Sequence, residues 1–286
     1  MTSTTPVAEG SEAETRFFTS SDGAKLAVRE HGKKDGRPLL FIHGFMGGTL
    51  TWETVQRSGL ASQFRLVSID LRGHGDSDKP QDPASYASSQ QWADDLTAII
   101  DGLDLSDVVL VAHSYGGVVA MDYVRHAGME RVGGIFFVAA AAEAPGCDPS
   151  HFNVATMQLL GPIPPSDLPH RVSLIQAFVR SLTSTPLPAQ SFERLLAQAM
   201  VSTPLMLAGA FTRAPQSNGD ILGRLTCPVA FVVGEHENVI TSAMTAFVKS
   251  KIPHLQQICY PAVGHLPQVE AAHAFTVDLA KFAGQP

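Results

Sequence analysis

In residues 108–117, Val-Val-Leu-Val-Ala-His-Ser-Tyr-Gly-Gly, a run of β-formers meets a serine and then a pair of glycines. A serine on a sharp strand-to-helix turn cannot bury its hydroxyl, so the oxygen of Ser114 projects where a substrate can reach it. The helix N-terminus behind it offers unpaired N–H groups and a positive dipole end, suited to a developing oxyanion. The motif of such a nucleophile elbow is G-x-S-x-G. Here it reads Ala112-His113-Ser114-Tyr115-Gly116, with the smallest side chain after glycine in first place. A serine hydroxyl is a poor nucleophile at neutral pH and needs a general base that a carboxylate orients. Of eleven histidines, His265 follows the last predicted strand and precedes the last predicted helix, in Gly264-His265-Leu266-Pro267, well placed to face Ser114. The carboxylate is expected in the loop after strand 229–233, at Glu237, with Glu235 a solvated neighbour. Glu143, just past a strand ending near Ala139, is the alternative acid.

Oxyanion stabilisation needs a second donor. The loop after strand 39–43 reads His43-Gly44-Phe45-Met46-Gly47-Gly48, and its glycines let the Phe45 N–H turn towards a substrate oxygen beside that of Tyr115. His43 and the polar turn from Asp70 to Ser77 are read as braces of this loop. His113 points away from Ser114 by strand alternation and is assigned to packing.

The elements that must position these groups alternate. Strands are predicted at 16–19, 25–30, 39–43, 65–70, 108–113, 134–139, 229–234 and 256–260, and core helices at 51–61, 89–102, 115–127, 242–251 and 267–282. In the helix at 89–102, Trp92, Leu96, Ile99 and Ile100 recur at helical spacing, with Asp94, Asp95 and Asp101 expected to face outward. Such alternation specifies an α/β fold, an eight-stranded mostly parallel sheet with helices on both faces. It stops between about 142 and 220, where helices are predicted at 168–182, 191–201 and 204–213, with Leu168, Val172, Ile175, Val179 and Leu182 in one apolar stripe. This insertion after the sixth strand is read as a helical lid, residues 142–220, on a core of 15–141 and 221–286 preceded by a disordered leader, 1–14.

Composition narrows the function. Charged residues make up 16% of the 286, against about 25% on average, and size scaling buries roughly three quarters of the unfolded surface. A net charge of −7 argues against nucleic acid or an anionic membrane as partner. Cys147, Cys227 and Cys259 are odd in number and widely spaced, which implies neither a disulfide framework nor a metal knuckle, so each is expected to act as a small buried hydrophobe. No metal-ligand spacing or phosphate cradle is present in the sequence, so no metal or cofactor is expected. No apolar run reaches spanning length and no signal peptide is read at the start, so a cytoplasmic protein is expected.

Four features in this order, the His43-Gly44-Phe45 loop, the Asp70–Ser77 turn, the elbow from Ala112 to Gly116 and Gly264-His265, resemble the α/β-hydrolase fold superfamily, in its lid-bearing serine hydrolase branch of esterases and lactonases. The resemblance implies a Ser114–His265–Glu237 triad, glutamate standing where aspartate is commoner. It also implies a small-molecule substrate, a mostly hydrophobic ester or lactone, held by Met46, Phe152, Met157, Leu160, Phe178, Met206 and Leu266. Dehalogenases and epoxide hydrolases of the superfamily use an aspartate nucleophile, which Ser114 replaces. Its hydroxynitrile lyases carry lysine where Leu266 stands, and its cofactor-free haloperoxidases usually carry proline in place of Met46. Hydrolysis of carbon–carbon bonds by the same triad, and a ligand receptor built on the same fold, are the alternatives. The oligomeric state is left open.

Overall fold

A computed structural model describes residues 14–144, 146–160 and 167–285, so the expected leader lies outside the described residues except for Glu14. Eight strands form one sheet: β1 (Thr15–Thr19), β2 (Lys25–Gly32), β3 (Pro38–Ile42), β4 (Arg65–Ile69), β5 (Val108–His113), β6 (Val132–Val138), β7 (Val229–Gly234) and β8 (Gln256–Tyr260). Their order is β1-β2-β4-β3-β5-β6-β7-β8. β2 runs antiparallel to β1 and β4, and every other pairing is parallel.

The continuous apolar runs of β3 and β5 follow from burial on both sides. Strand periodicity sorts their side chains into two cores. Leu40, Ile42, Leu110, Ala112, Ile135 and Phe137 point to the face covered by the helices Ser89–Gly102 and Gly116–Ala127. Leu39, Phe41, Val109, Val111, Phe136 and Val138 point to the face where Trp52 and the helix Ala272–Ala283 pack. Between β6 and β7 lie the helices Val154–Leu159, Leu168–Ser181, Ala189–Val201 and Pro204–Phe211. Ile175, Phe178, Val179 and Leu182 from this insertion form a third cluster with Met46, Val239 and Leu266 from loops at the strand ends. Among the described residues no single helix is long and apolar enough to cross a membrane.

Several expectations are corrected. The helix expected at 51–61 is three short turns, Thr49–Trp52, Glu53–Gln56 and Gly59–Ser62, because Ser58 restarts the chain by capping Leu60 N with its hydroxyl. The helix expected at 267–282 breaks at Ala271, whose φ of −123° is not helical, while Glu270 turns its carboxylate back to Gly264. The apolar stripe holds from Ile175 onward, but Leu168 is exposed. Cys147 and Cys227 are only half-buried and Cys259, on the edge strand β8, is exposed. Asp95 does not face outward: it is fully buried and takes the Arg72 guanidinium with both oxygens, at 2.6 and 2.7 Å. Arg72 lies in the turn after β4, and with its side chain fully buried it needs a countercharge inside the protein. Burial raises the Asp95 pKa, with Arg72 opposing.

Asp95→Ala leaves Arg72 with the partly exposed Asp22 as its remaining countercharge among the described residues and is expected to destabilise the fold by about 3–5 kcal/mol. Urea unfolding at neutral pH measures this, and a loss below about 1 kcal/mol would show the pair to be dispensable.

Candidate active site

β5 ends at His113, and the chain turns through Ser114 at φ 52° into the helix that begins at Gly116. A non-glycine residue in this left-handed region is strained and persists only where its surroundings fix it. Here they do: the Ser114 N–H donates to Val138 O at 3.1 Å, and its carbonyl accepts from Gly117 N and Ala141 N, both at 2.9 Å. A side chain at Gly116 would strike Ile42 O, and one at Gly117 would lie 2.5 Å from Ala141 O. At Gly44 an added Cβ would fall 2.6 Å from Ser114 Cβ and 3.1 Å from its Oγ, so only glycine lets the β3 loop pass this close.

The Phe45 and Tyr115 amides donate no hydrogen bond among the described residues, and their rings stack at 4.0 Å with a 17° tilt. The two free N–H groups thus belong to residues that hold each other. The Tyr115 hydroxyl in turn accepts from Arg213 Nη1 at 2.9 Å, and Arg213 grips Asp122 with two bonds of 2.8 and 2.7 Å. Arg213 and Asp122 are both buried.

Two histidines fix the β3 loop. Leu71 N donates to His43 Nε2 at 3.0 Å, so the His43 proton sits on Nδ1, which donates to Gly44 O at 2.7 Å. His74 repeats the scheme, taking Met46 N at 3.2 Å and giving Nδ1–H to Arg72 O at 3.0 Å. Met46 is held at φ 55° by this contact. Asp70 accepts Thr49 N at 2.7 Å, so the polar turn braces the loop as expected. Burial pushes His43 down to about 4 and His74 to about 3, which keeps both neutral and able to accept. His113 points away from Ser114, but the expectation of mere packing is too weak. Its Nε2 donates to His265 O at 2.9 Å, the rings are 4.8 Å apart, and burial holds it neutral.

His265 is 1% exposed. Its Nδ1 faces both oxygens of Glu237, at 2.8 and 2.9 Å. Glu237 Oε1 also accepts from Val239 N at 2.7 Å and Ile240 N at 3.2 Å, so the carboxylate is anchored in its own turn. A side chain at Gly234 would strike Val263 O, which is why the acid loop and the histidine loop can run side by side. With the proton on Nδ1 against the carboxylate, Nε2 is left as the basic atom. Among the described residues no hydrogen bond joins His265 to the half-buried Ser114 hydroxyl; such contacts often tighten only when substrate binds. Glu143 goes elsewhere: it accepts from Ser217 Oγ and from Asn218 N at 3.2 Å and faces His151 at 3.4 Å. The structure therefore puts Glu237, and not Glu143, on His265.

Ser114 and Tyr115 line an apolar cavity with Phe45, Phe152, Met157, Leu160 and Phe178, about 380 Å³ with its mouth included. Met46 and Leu266 line a neighbouring one. Met206 lines neither, because it is wedged against Gly73 and Tyr86 in the main core. Sequence reasoning missed Glu270, which accepts from Gly264 N at 2.8 Å and from Ser184 N and Oγ at 2.7 and 2.8 Å, while His265 N donates to Leu182 O at 2.8 Å. It also missed Arg213. A lone acid among apolar neighbours, Asp122 between Met121 and Tyr123, was the available signal for a buried cation. No group of three or more metal-ligating side chains occurs among the described residues.

A family model described as the alpha/beta hydrolase family matches residues 39–279. A solved structure from Burkholderia cenocepacia, provisionally described as an aryl esterase, is 30% identical, with a TM-score of 0.89 over 94% of this chain and 97% of that one. The esterase RhEst1 from Rhodococcus sp. ECU1013 is 26% identical, with a TM-score of 0.87 over 95% and 98%. A non-heme chloroperoxidase from Streptomyces lividans is 33% identical over 122 residues, 43% of each chain. The first curated relatives are thus matched over less than half of their length.

Histidines with folded pKa values of about 4 and 3 lie below the unfolded value of about 6.5, so the unfolded chain takes up protons first on acidification. Their contribution is complete above about pH 6.5 and is lost as pH falls towards 4, at roughly 1.4 kcal/mol per histidine per pH unit. The urea midpoint is expected to drop steeply between pH 7 and 5; a flat profile would contradict neutral, accepting His43 and His74.

Proposed function

The chain belongs to the alpha/beta hydrolase family, and on that premise we propose that it is a serine hydrolase cleaving small-to-medium, mostly hydrophobic carboxylic esters or lactones through an acyl-enzyme. One contact carries this assignment: both oxygens of Glu237 on His265 Nδ1, in the loops beside the strained elbow of Ser114. The carboxylate fixes the imidazole tautomer and stabilises the imidazolium that forms when Nε2 takes a proton. Ser114 Oγ attacks the carbonyl carbon as its proton passes to His265 Nε2, and the tetrahedral oxyanion accepts from the Phe45 and Tyr115 amides. His265 then protonates the leaving alcohol. Water attacks the acyl-enzyme by the same route and releases the acid and free serine.

The apolar lining of Phe152, Met157, Leu160, Phe178, Val239 and Ile240 supports an uncharged acyl or lactone group, and methionine suits an irregular cavity. The esterase descriptions of two similar structures point the same way. In this assignment the helices between β6 and β7 serve as the lid. Glu270 is a positioning residue: its carboxylate ties Gly264, next to the base, to Ser184 of the insertion.

Ser114→Ala is expected to lower kcat/KM for 4-nitrophenyl acetate by several orders of magnitude, and Glu237→Gln by roughly 10³–10⁴-fold. A Ser114→Ala protein as active as the parent ends the assignment. Labelling of Ser114 by a fluorophosphonate without repeated turnover of any ester or lactone would instead favour a binding protein.

Glu270→Ala is expected to reduce kcat by roughly 10–100-fold, as when a supporting partner of a functional side chain is removed, with KM little changed. Glu270→Gln, which keeps an acceptor for one amide, is expected to recover part of the loss. Equal losses in both variants, with a shifted unfolding midpoint, would reduce Glu270 to a structural role.

A further inference from the structure

The second cavity, about 340 Å³ including its mouth, opens beside the first and shares Phe45 and Phe178 with it. Gly44, which passes close against Ser114, is part of its wall, so the second cavity adjoins the first beside the nucleophile, although Ser114 itself lines only the first. Met46, Val179, Leu182, Leu195, Ala199 and Leu266 make it apolar. Its polar side chains are His113, whose Nδ1 is buried beside Gly44 without a partner among the described residues, and, further along, Thr51 and Gln198, the last on the helix Ala189–Val201 of the insertion. Gln198 is 7% exposed. Its Nε2 donates to Thr51 Oγ1 at 3.0 Å, while its carbonyl oxygen Oε1, which lies beside Gly48 at the edge of the cavity, is buried without a partner among the described residues. A buried amide oxygen left unpaired is unfavourable, and a ligand that brings a donor removes that cost.

We propose that this cavity is a second arm of the substrate site, with Gln198 as its specificity-determining residue for a hydroxyl carried on an otherwise apolar chain. This deepens the ester hydrolase assignment and rests on it. The chemistry of the wall selects the hydroxyl. An ammonium would bring a charge with no carboxylate among the lining residues, and an amide would bring a carbonyl and need a second donor. A hydroxyl satisfies Oε1 with its single proton. An ester seated with its carbonyl at Ser114 would then place one chain against Phe152, Met157 and Leu160, and the other past Phe45 and Phe178 towards Gln198.

The test uses two substrate series, because the cavity could receive either side of the ester bond. One is 4-nitrophenyl esters of four- to eight-carbon acids, the other acetate esters of four- to eight-carbon alcohols, each with a methyl, hydroxyl or keto group at the far end. In one series the parent protein is expected to favour the hydroxyl over the methyl end by about tenfold in kcat/KM at its best chain length. Gln198→Leu is expected to abolish or reverse that ratio. Gln198→Met gives the same reading if the leucine variant does not fold. The proposal is overturned if neither series shows a hydroxyl preference in the parent, if the preference survives in the variant that folds, or if the keto end, an acceptor only, is preferred. Failure of the underlying assignment looks different: the parent turns over no ester at all, or Ser114→Ala hydrolyses 4-nitrophenyl acetate as well as the parent.

Discussion

The contact on which the site depends is the one between Glu237 and His265. An imidazole free to rotate presents either nitrogen, and only one of them can accept a proton from a serine. Two carboxylate oxygens at 2.8 and 2.9 Å from Nδ1 leave Nε2 as the nitrogen free to accept. Two backbone amides on Oε1 keep the carboxylate from following the ring if it swings. Glutamate is one methylene longer than the commoner aspartate, and the extra reach is absorbed by the 237–240 turn that the carboxylate itself closes. Aligning two loops from different strand ends in this way requires Gly234, because any side chain there would push the histidine loop away.

Much of the frame is legible in the sequence. β5 lies at 108–113 as predicted, because five buried apolar residues and a buried histidine run into a serine and then a pair of glycines, which admits little else. The helix Ser89–Gly102 has its predicted bounds as well, with Ser88 capping its start. Ser114 and Glu237 could be picked out because each sits in a loop directly after a buried strand, and His265 because it precedes the last helix at the same edge of the sheet. Glu237 and not Glu143 meets the histidine, a choice the sequence left open because both acids follow strands.

What stayed hidden is of one kind. Asp95, Arg213, Gln198 and Glu270 are polar groups whose meaning comes from partners 23 to 147 positions away: Arg72, Asp122 and Tyr115, Thr51, and Ser184. Helical periodicity turned Asp95 outward because a charged residue ordinarily pays heavily for burial. The rule fails where a buried guanidinium waits for it. Met206 misled in the other direction: apolar and on the insertion, it had the composition of a pocket residue, but Gly73 leaves a notch that it fills.

One short stretch of the insertion has a mechanical corollary. Leu182 and Ser184 are bonded to the histidine loop, directly and through Glu270, and the carbonyl of Ser181 takes the side chain of Asn238, next to the acid. Any shift of residues 181–184 is therefore transmitted at once to the loops that carry Glu237 and His265.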